Sequence, residues 1–319
     1  MAVGVVARHV PVLLEETLQL LEPSFADGGF CIDATVGLGG HAEAFLERCP
    51  RAHLLAIDRD ERALELARER LADFAPRVRF ALGPFSQLAE LARQVEAAPI
   101  RGVLADLGVS SMQLDTADRG FSFRWDAPLD MRMGRTGPGP TAADIVNNYP
   151  EQTLATIIDQ LGEERYARRI ARGIARARAE QAIETTGQLA ELVAELKPRM
   201  SRPRAGKKPQ HPATQTFQAL RIEVNQELEE LKELLDQSVR MLEQDGRLVV
   251  ISYHSLEDRI VKHTLRDLGT AEKDPITGRP RAETQVIEVL TRKPVRPDEK
   301  EVAGNARARS ARLRAARRL

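Results

Sequence analysis

The stretch Phe30-Cys31-Ile32-Asp33-Ala34-Thr35-Val36-Gly37-Leu38-Gly39-Gly40-His41-Ala42 constrains this chain more than any other. A short apolar run closed by an acid reads as a buried strand, and the glycines after it read as a turn into a helix begun by His41, Ala42 and Ala44. Glycine is needed there because the backbone bends with positive φ, and because a Cβ would hold a ligand away from the amides of the helix start. The pattern is that of a nucleotide-cofactor turn. Gly37-x-Gly39-x-x-Ala42 fits the looser dinucleotide fingerprint, and Asp58 closes the next apolar run about 20 residues on, where a ribose-binding acid belongs. S-adenosylmethionine uses the same strand, turn, helix and acid but has no pyrophosphate to neutralise. Asp33, beside the loop, suits a ligand carrying an ammonium and a sulfonium and repels a phosphate. A P-loop is excluded, since no Lys-Ser or Lys-Thr follows the last glycine. A tight turn without a ligand is the remaining reading.

The surrounding chain supplies the rest of an α/β domain. A short amphipathic helix ends near Pro23, and strands are expected at 53–58, 78–82 and 102–107. Helices over 60–73 and 86–97 alternate with them, which implies right-handed βαβ units and a parallel sheet with ligands at the carboxyl ends of the strands. Asp33, the glycines, Asp58, Phe85 and Asp106 all fall at those ends. Residues 116–140 are a long Gly-, Pro-, Arg- and aromatic-rich loop, and 141–196 reads as helical throughout, with Thr141-x-x-Asp144 and Thr185-x-x-Gln188 resembling capping boxes. Residues 116–211 therefore read as a small helical domain inserted into an α/β domain formed by 1–115 and 212–319. One helix over 216–243, with an apolar stripe from Phe217 through Val224 and Leu235 to Leu242, is expected to cover the sheet. A fifth strand at 247–252 leads to Tyr253, His254 and a final helix. Strands at 284–291 and 308–316 then form a terminal antiparallel pair at the sheet edge. That pair selects a class I S-adenosylmethionine-dependent methyltransferase, Rossmann-like and mostly parallel, over a symmetrical dehydrogenase fold.

No run approaches a membrane span and the N-terminus is too short and polar for a secretory signal, so a cytoplasmic protein is expected, with Cys31 and Cys49 as reduced thiols. The formal net charge is zero, yet basic residues cluster in three places. Arg165, Arg168, Arg169, Arg172, Arg176 and Arg178 share one helix. Lys197, Arg199, Arg202, Arg204, Lys207 and Lys208 fill a Pro-interrupted link, and Arg307, Arg309, Arg312, Arg314, Arg317 and Arg318 crowd the C-terminus. Such segregation fits a basic face on nucleic acid, or a set of solvated helix faces. His254, Glu257 and Asp258 read as a solvated helix start and not as a metal site, and no metal is expected elsewhere.

Ordered strings then carry a resemblance along nearly the whole chain. They include His9-x-Pro11-Val12-Leu13-Leu14-x-Glu16, Asp33-Ala34-Thr35-x-Gly37-x-Gly39-Gly40-His41, Gly83-Pro84-Phe85 and Asp106-Leu107-Gly108-Val109-Ser110-Ser111-x-Gln113. They continue with Arg119-Gly120-Phe121-Ser122-Phe123, Pro128-Leu129-Asp130-Met131-Arg132-Met133, His211-Pro212-Ala213-Thr214 and Ser252-x-His254-Ser255-Leu256-Glu257-Asp258-Arg259. The chain thereby resembles the bacterial methyltransferases that modify N4 of a cytidine in the decoding region of 16S ribosomal RNA. The resemblance implies S-adenosylmethionine as cofactor, held by Gly39, Gly40, His41, Asp58, Phe85, Asp106 and Gln113, and 16S rRNA or the small ribosomal subunit as partner. A homodimer is left open.

A cytosine amine is a weak nucleophile, so the enzyme must align it with the methyl-sulfonium bond and accept a hydrogen bond from it. Asp106 and His254 are the candidates for that acceptor. The place of the Asp-Pro-Pro-Tyr-type motif of amino methyltransferases reads Asp106-Leu107-Gly108-Val109, without its prolines and aromatic. Phe121, Phe123, Trp125 and Tyr253 are candidates to receive a flipped base. Two rivals stand beside this reading: a nicotinamide-dependent dehydrogenase and a non-catalytic RNA-binding assembly factor.

Overall fold

The computed structural model describes residues 11–134, 139–198, 211–305 and 307–319; His9 and the link residues Arg199, Arg202, Arg204, Lys207 and Lys208 lie outside them. The chain divides into two compact units, Met1–Gly108 with Leu228–Leu319, and Val109–Glu227. The helical unit is thus wider at both ends than the 116–211 read from the sequence.

The first unit opens with α1 (Leu14–Leu21), β1 (Gly29–Asp33), α2 (Gly40–Arg48), β2 (Ala52–Asp58), α3 (Glu61–Arg70), β3 (Val78–Leu82), α4 (Leu88–Gln94) and β4 (Ile100–Asp106). Its inner strands are continuous apolar runs because helices cover both faces of the sheet. Alternate residues enter different cores. Cys31, Leu54, Ala56 and Leu104 pack with Leu18, Phe45 and Leu64, whereas Ile32, Leu55, Ile57 and Val103 pack with Leu88, Leu91 and Leu235. Cys31 and Cys49 are both buried free thiols.

The second unit holds α5 (Ser111–Asp115), α6 (Ala142–Asn148), α7 (Glu151–Gln160), α8 (Ala167–Glu180), α9 (Thr186–Leu196) and α10 (Thr214–Asn225). Its core gathers Ile145, Leu154, Ile158, Ile170, Ile174 and Val193. Capping boxes form at Thr141 with Asp144 and at Thr185 with Gln188. Much of the Arg-Gly-Phe-Ser-Phe and Pro-Leu-Asp-Met-Arg-Met strings is scaffolding. Buried Arg119 donates to the carbonyls of Arg132 (3.2 Å) and Met133 (2.6 Å), and Asn225 accepts from the Met133 amide and donates to the Met131 carbonyl, both at 2.8 Å.

The first unit resumes with α11 (Glu227–Met241), β5 (Leu242–Ser252), α12 (Ser255–Leu268), β6 (Ile287–Val289), α13 (Glu299–Gly304) and β7 (Arg312–Arg318). The single helix expected over 216–243 is two, broken at Gln226, whose φ is 50°. Phe217, Leu220 and Val224 pack in the helical core, and Leu231, Leu235 and Val239 in the sheet unit. An unbroken period of three and four does not register one residue of left-handed backbone, so the sequence shows one stripe where the fold has two.

Seven strands lie in the order β3-β2-β1-β4-β5-β7-β6. The neighbours from β3 to β5 are parallel, and β7 runs antiparallel to both β5 and β6. The antiparallel strand expected at the edge is β7, with the three-residue β6 outside it. This is the mostly parallel, Rossmann-like sheet of class I methyltransferases. Strand order reverses at β1, so the crevice beyond the carboxyl ends of β1 and β4 is where such a sheet takes its ligand. Among the described residues no helix is long and apolar enough to cross a membrane.

Candidate active site

Asp33, Asp58 and Asp106 are the last residues of β1, β2 and β4, so the sheet itself brings three carboxylates to one rim. The turn after β1 is stitched to its neighbours by side chains. Asp33 Oδ1 accepts from the Thr35 amide (3.2 Å), and Thr35 Oγ1 accepts from the Asp106 amide (2.7 Å), fastening the end of β1 to the end of β4. Asp58 accepts from the Gly37 amide through Oδ2 and from the Asp60 amide through Oδ1, both at 2.9 Å. Each carboxylate oxygen has a second lone pair, so these bonds leave Asp58 able to accept from a vicinal diol.

Gly37 and Gly39 have φ of 51° and 76°, and Gly39 caps α2. An ideal Cβ on Gly37 meets nothing nearer than the Thr35 carbonyl at 3.8 Å, so the space over the turn is open. A Cβ on Gly40 would lie 2.6 Å from the Pro11 ring. Gly37 thus leaves room for a ligand, and Gly40 lets the N-terminal segment approach. His41 is buried, its Nε2 3.0 Å from the Val12 carbonyl. A carbonyl only accepts, so Nε2 carries the proton, and burial pushes the imidazole below its ordinary pKa. Its Nδ1 lies 3.8 Å from Asp106 Oδ2. His41 thus fastens the turn, and the backbone at 39–41 forms the helix start.

Asp106 has a partner that the sequence did not announce. Tyr253, immediately after β5, donates its hydroxyl to Asp106 Oδ1 at 2.7 Å. Burial first, then the Asp106 charge, raises the phenol well above its ordinary pKa and keeps the donor proton in place. Tyr253 therefore holds the acid and is not a free ring for a base. Its own amide donates to Glu257 Oε2 (2.8 Å), as does the His254 amide (3.2 Å), and His254 Nε2 lies 3.2 Å from Glu257 Oε1.

The helix start at Glu257 and Asp258, expected to be solvated, is buried. Asp258 accepts from Arg312 Nη1 (2.8 Å) and Arg314 Nε (2.7 Å) on β7. With Arg317 bridging Asp245 and Glu288, much of the C-terminal basic cluster is engaged by acids of its own chain. Counting charges along the sequence could not separate such pairs from a free basic face.

Phe85 follows β3, half-buried against the core that also holds Leu88. The turn it opens is tied to α11, where the Gln237 side chain binds both the Ser86 carbonyl and the Ala89 amide. Gln113 belongs to the second unit, where its carboxamide oxygen accepts from the Ser110 amide (3.1 Å) to close a capping box. In that unit Phe121 is buried in the core, and Phe123 packs against His211 (4.4 Å) and Phe217 (5.0 Å). Trp125 is 45% exposed. Lys197 pairs with Glu164, and among the described residues Arg168, Arg169, Arg172 and Arg176 of α8 are exposed basic groups, while Arg178 donates to the Val146 carbonyl.

Burial raises Asp33 to about 7, helped by the charges of Asp106 and Asp58, and raises Asp58 to about 6. Such a rim is short of a cation, and S-adenosylmethionine, with its sulfonium and ammonium, fits it. A pyrophosphate beside Asp33 does not, and the reversed β7 also disfavours the dehydrogenase reading.

A family model described as the MraW methylase family matches residues 6–319. The chain is 48% identical to the ribosomal RNA small subunit methyltransferase H of Thermobifida fusca, over 97% of this chain and 93% of that one. The protein of the same name from Syntrophotalea carbinolica is also 48% identical, over 98% and 99%. That of Pseudarthrobacter chlorophenolicus is 46% identical, over 98% and 95%.

Proposed function

The chain belongs to the MraW methylase family, and from that premise we propose that it methylates the exocyclic N4 amine of a decoding-region cytidine in 16S rRNA of the small ribosomal subunit. The observation that carries the reading is the rim of Asp33, Asp58 and Asp106 around an open glycine turn, with Asp106 held by Tyr253. Bound S-adenosylmethionine supplies an electrophilic methyl on sulfur. Asp58 accepts from the ribose hydroxyls, Phe85 gives the adenine an apolar wall, and Asp33 faces positive charge. The turn at Gly37, Gly39, Gly40 and His41 cradles the cofactor, and Gln113 is assigned to its lining by resemblance alone.

Asp106 accepts a hydrogen bond from the N4–H as the amine attacks, and the proton that N4 sheds once methylated leaves along that hydrogen bond to the carboxylate and on to water. The Tyr253 hydroxyl on Oδ1 fixes the carboxylate's plane. His254, with both its amide and its ring beside Glu257, is the second candidate for the acceptor. The helical unit binds the RNA, with exposed Trp125 as the aromatic offered for stacking. The site of action is the cytoplasm, where small subunits are assembled. Incubation with methyl-labelled cofactor and unmodified small subunits, followed by mapping of the label, tests the reading. Label on a cytidine N4 in the decoding region is expected, and label on another atom or none at all refutes it.

A further inference from the structure

We propose that the groove between α8 and α9 is a docking site for single-stranded RNA, taking phosphates on Arg169, Arg172 and Arg176 and a sugar or base edge on an apolar floor. This deepens the RNA-binding role given above to the helical unit and rests on that reading.

The groove, of about 560 Å³, is lined by those arginines with Gly173, Ala177, Leu192 and Leu196. Gly173 makes room for the Leu196 side chain, which a Cβ at that position would push aside, so the glycine lets this leucine settle into the groove floor. The floor comes from α9, and the charge stands on α8 at positions i, i+3 and i+7, along one face of the helix. Each step is close to one turn, about 5.4 Å, so the cations form a row that follows one strand.

All three arginines are exposed. Arg172 has one loose ion pair, 3.6 Å to Glu151, with both side chains about half or more in solvent. Among the described residues Arg169 and Arg176 have no acid within ion-pair distance, in contrast to Arg312, Arg314 and Arg317 on β7. An apolar floor beneath an unneutralised basic rim complements a polyanion whose units are part apolar, and a flexible strand can lay its sugars and bases over the leucines where a stiff duplex cannot.

The test compares the full chain with R169Q/R172Q/R176Q and with a control, R62Q/R93Q/R240Q, that removes equal charge from exposed positions of the sheet unit. Binding of a single-stranded 16S fragment is measured against salt, together with cofactor binding and methyl transfer to small subunits. The groove variant is expected to bind the cofactor as the parent does and to show a KM for RNA raised about tenfold with kcat kept. Its salt slope should be shallower by about 2, from three phosphate contacts at roughly 0.7 each. An equal change in the control, an unchanged slope and KM, or a larger effect on binding to phosphatidylglycerol vesicles than to RNA overturns the assignment. A parent that binds the fragment through the groove without transferring methyl refutes the proposed reaction and keeps the groove.

Discussion

Asp33 is a carboxylate that its own fold discourages from ionising, since burial and the neighbouring Asp106 and Asp58 hold it protonated up to about pH 7. The folded pKa lies above the ordinary value of 3.8, so the stability from Asp33 is full below that value and is lost as pH rises through 7. A cationic ligand needs the ionised form. Cofactor affinity measured by calorimetry should therefore rise between pH 5.5 and 8, and Asp33→Asn should weaken binding while raising the melting temperature of the ligand-free protein at pH 8. A flat affinity profile in the parent would contradict the assignment. Tyr253→Phe removes one hydrogen bond to a charged group, worth about 1.5–3 kcal/mol, so kcat should fall roughly 10- to 100-fold with cofactor affinity nearly unchanged. Equal losses in kcat and cofactor binding would instead make Tyr253 part of the cofactor pocket.

At the level of elements, β7 is fastened to α12 by Asp258, gripped by Arg312 and by buried Arg314. Asp258→Ala leaves Arg314 buried without its acid, and a loss of about 3–5 kcal/mol is expected in denaturant unfolding. A loss under about 1 kcal/mol would show that water reaches the guanidinium. The strands, the glycine turn and the acids at strand ends were legible in the sequence because each rests on a local pattern. Asp258 was not legible as a buried group, since a helix start rich in acid looks the same in solvent as against a distant strand. The Tyr253 contact to Asp106 was hidden for the same reason: it joins residues 147 positions apart, and nothing local to either announces the other. The break at Gln226 escaped because apolar spacing reports period and not which core each turn enters.

Across the whole molecule, two compact units with separate cores argue against a single all-or-none transition. Scanning calorimetry should resolve two components, and saturating cofactor should raise the one belonging to the sheet unit more, by about 2.7 kcal/mol at a hundredfold excess over Kd. A single peak that moves as a whole would show the units unfolding together. The resemblance gave the chemistry before the fold was in view, whereas the sharing of basic residues between structure and surface needed coordinates. The crowded acids at the strand ends also couple the proposed cofactor binding to protons. Under the proposed reading, giving up its methyl turns the sulfonium into a neutral thioether while the ammonium remains, and the pocket then loses part of the attraction that favours an ionised Asp33. A proton release on loading, and a smaller one when the spent cofactor binds, are the expected signature, read by calorimetry in buffers of different ionisation heat.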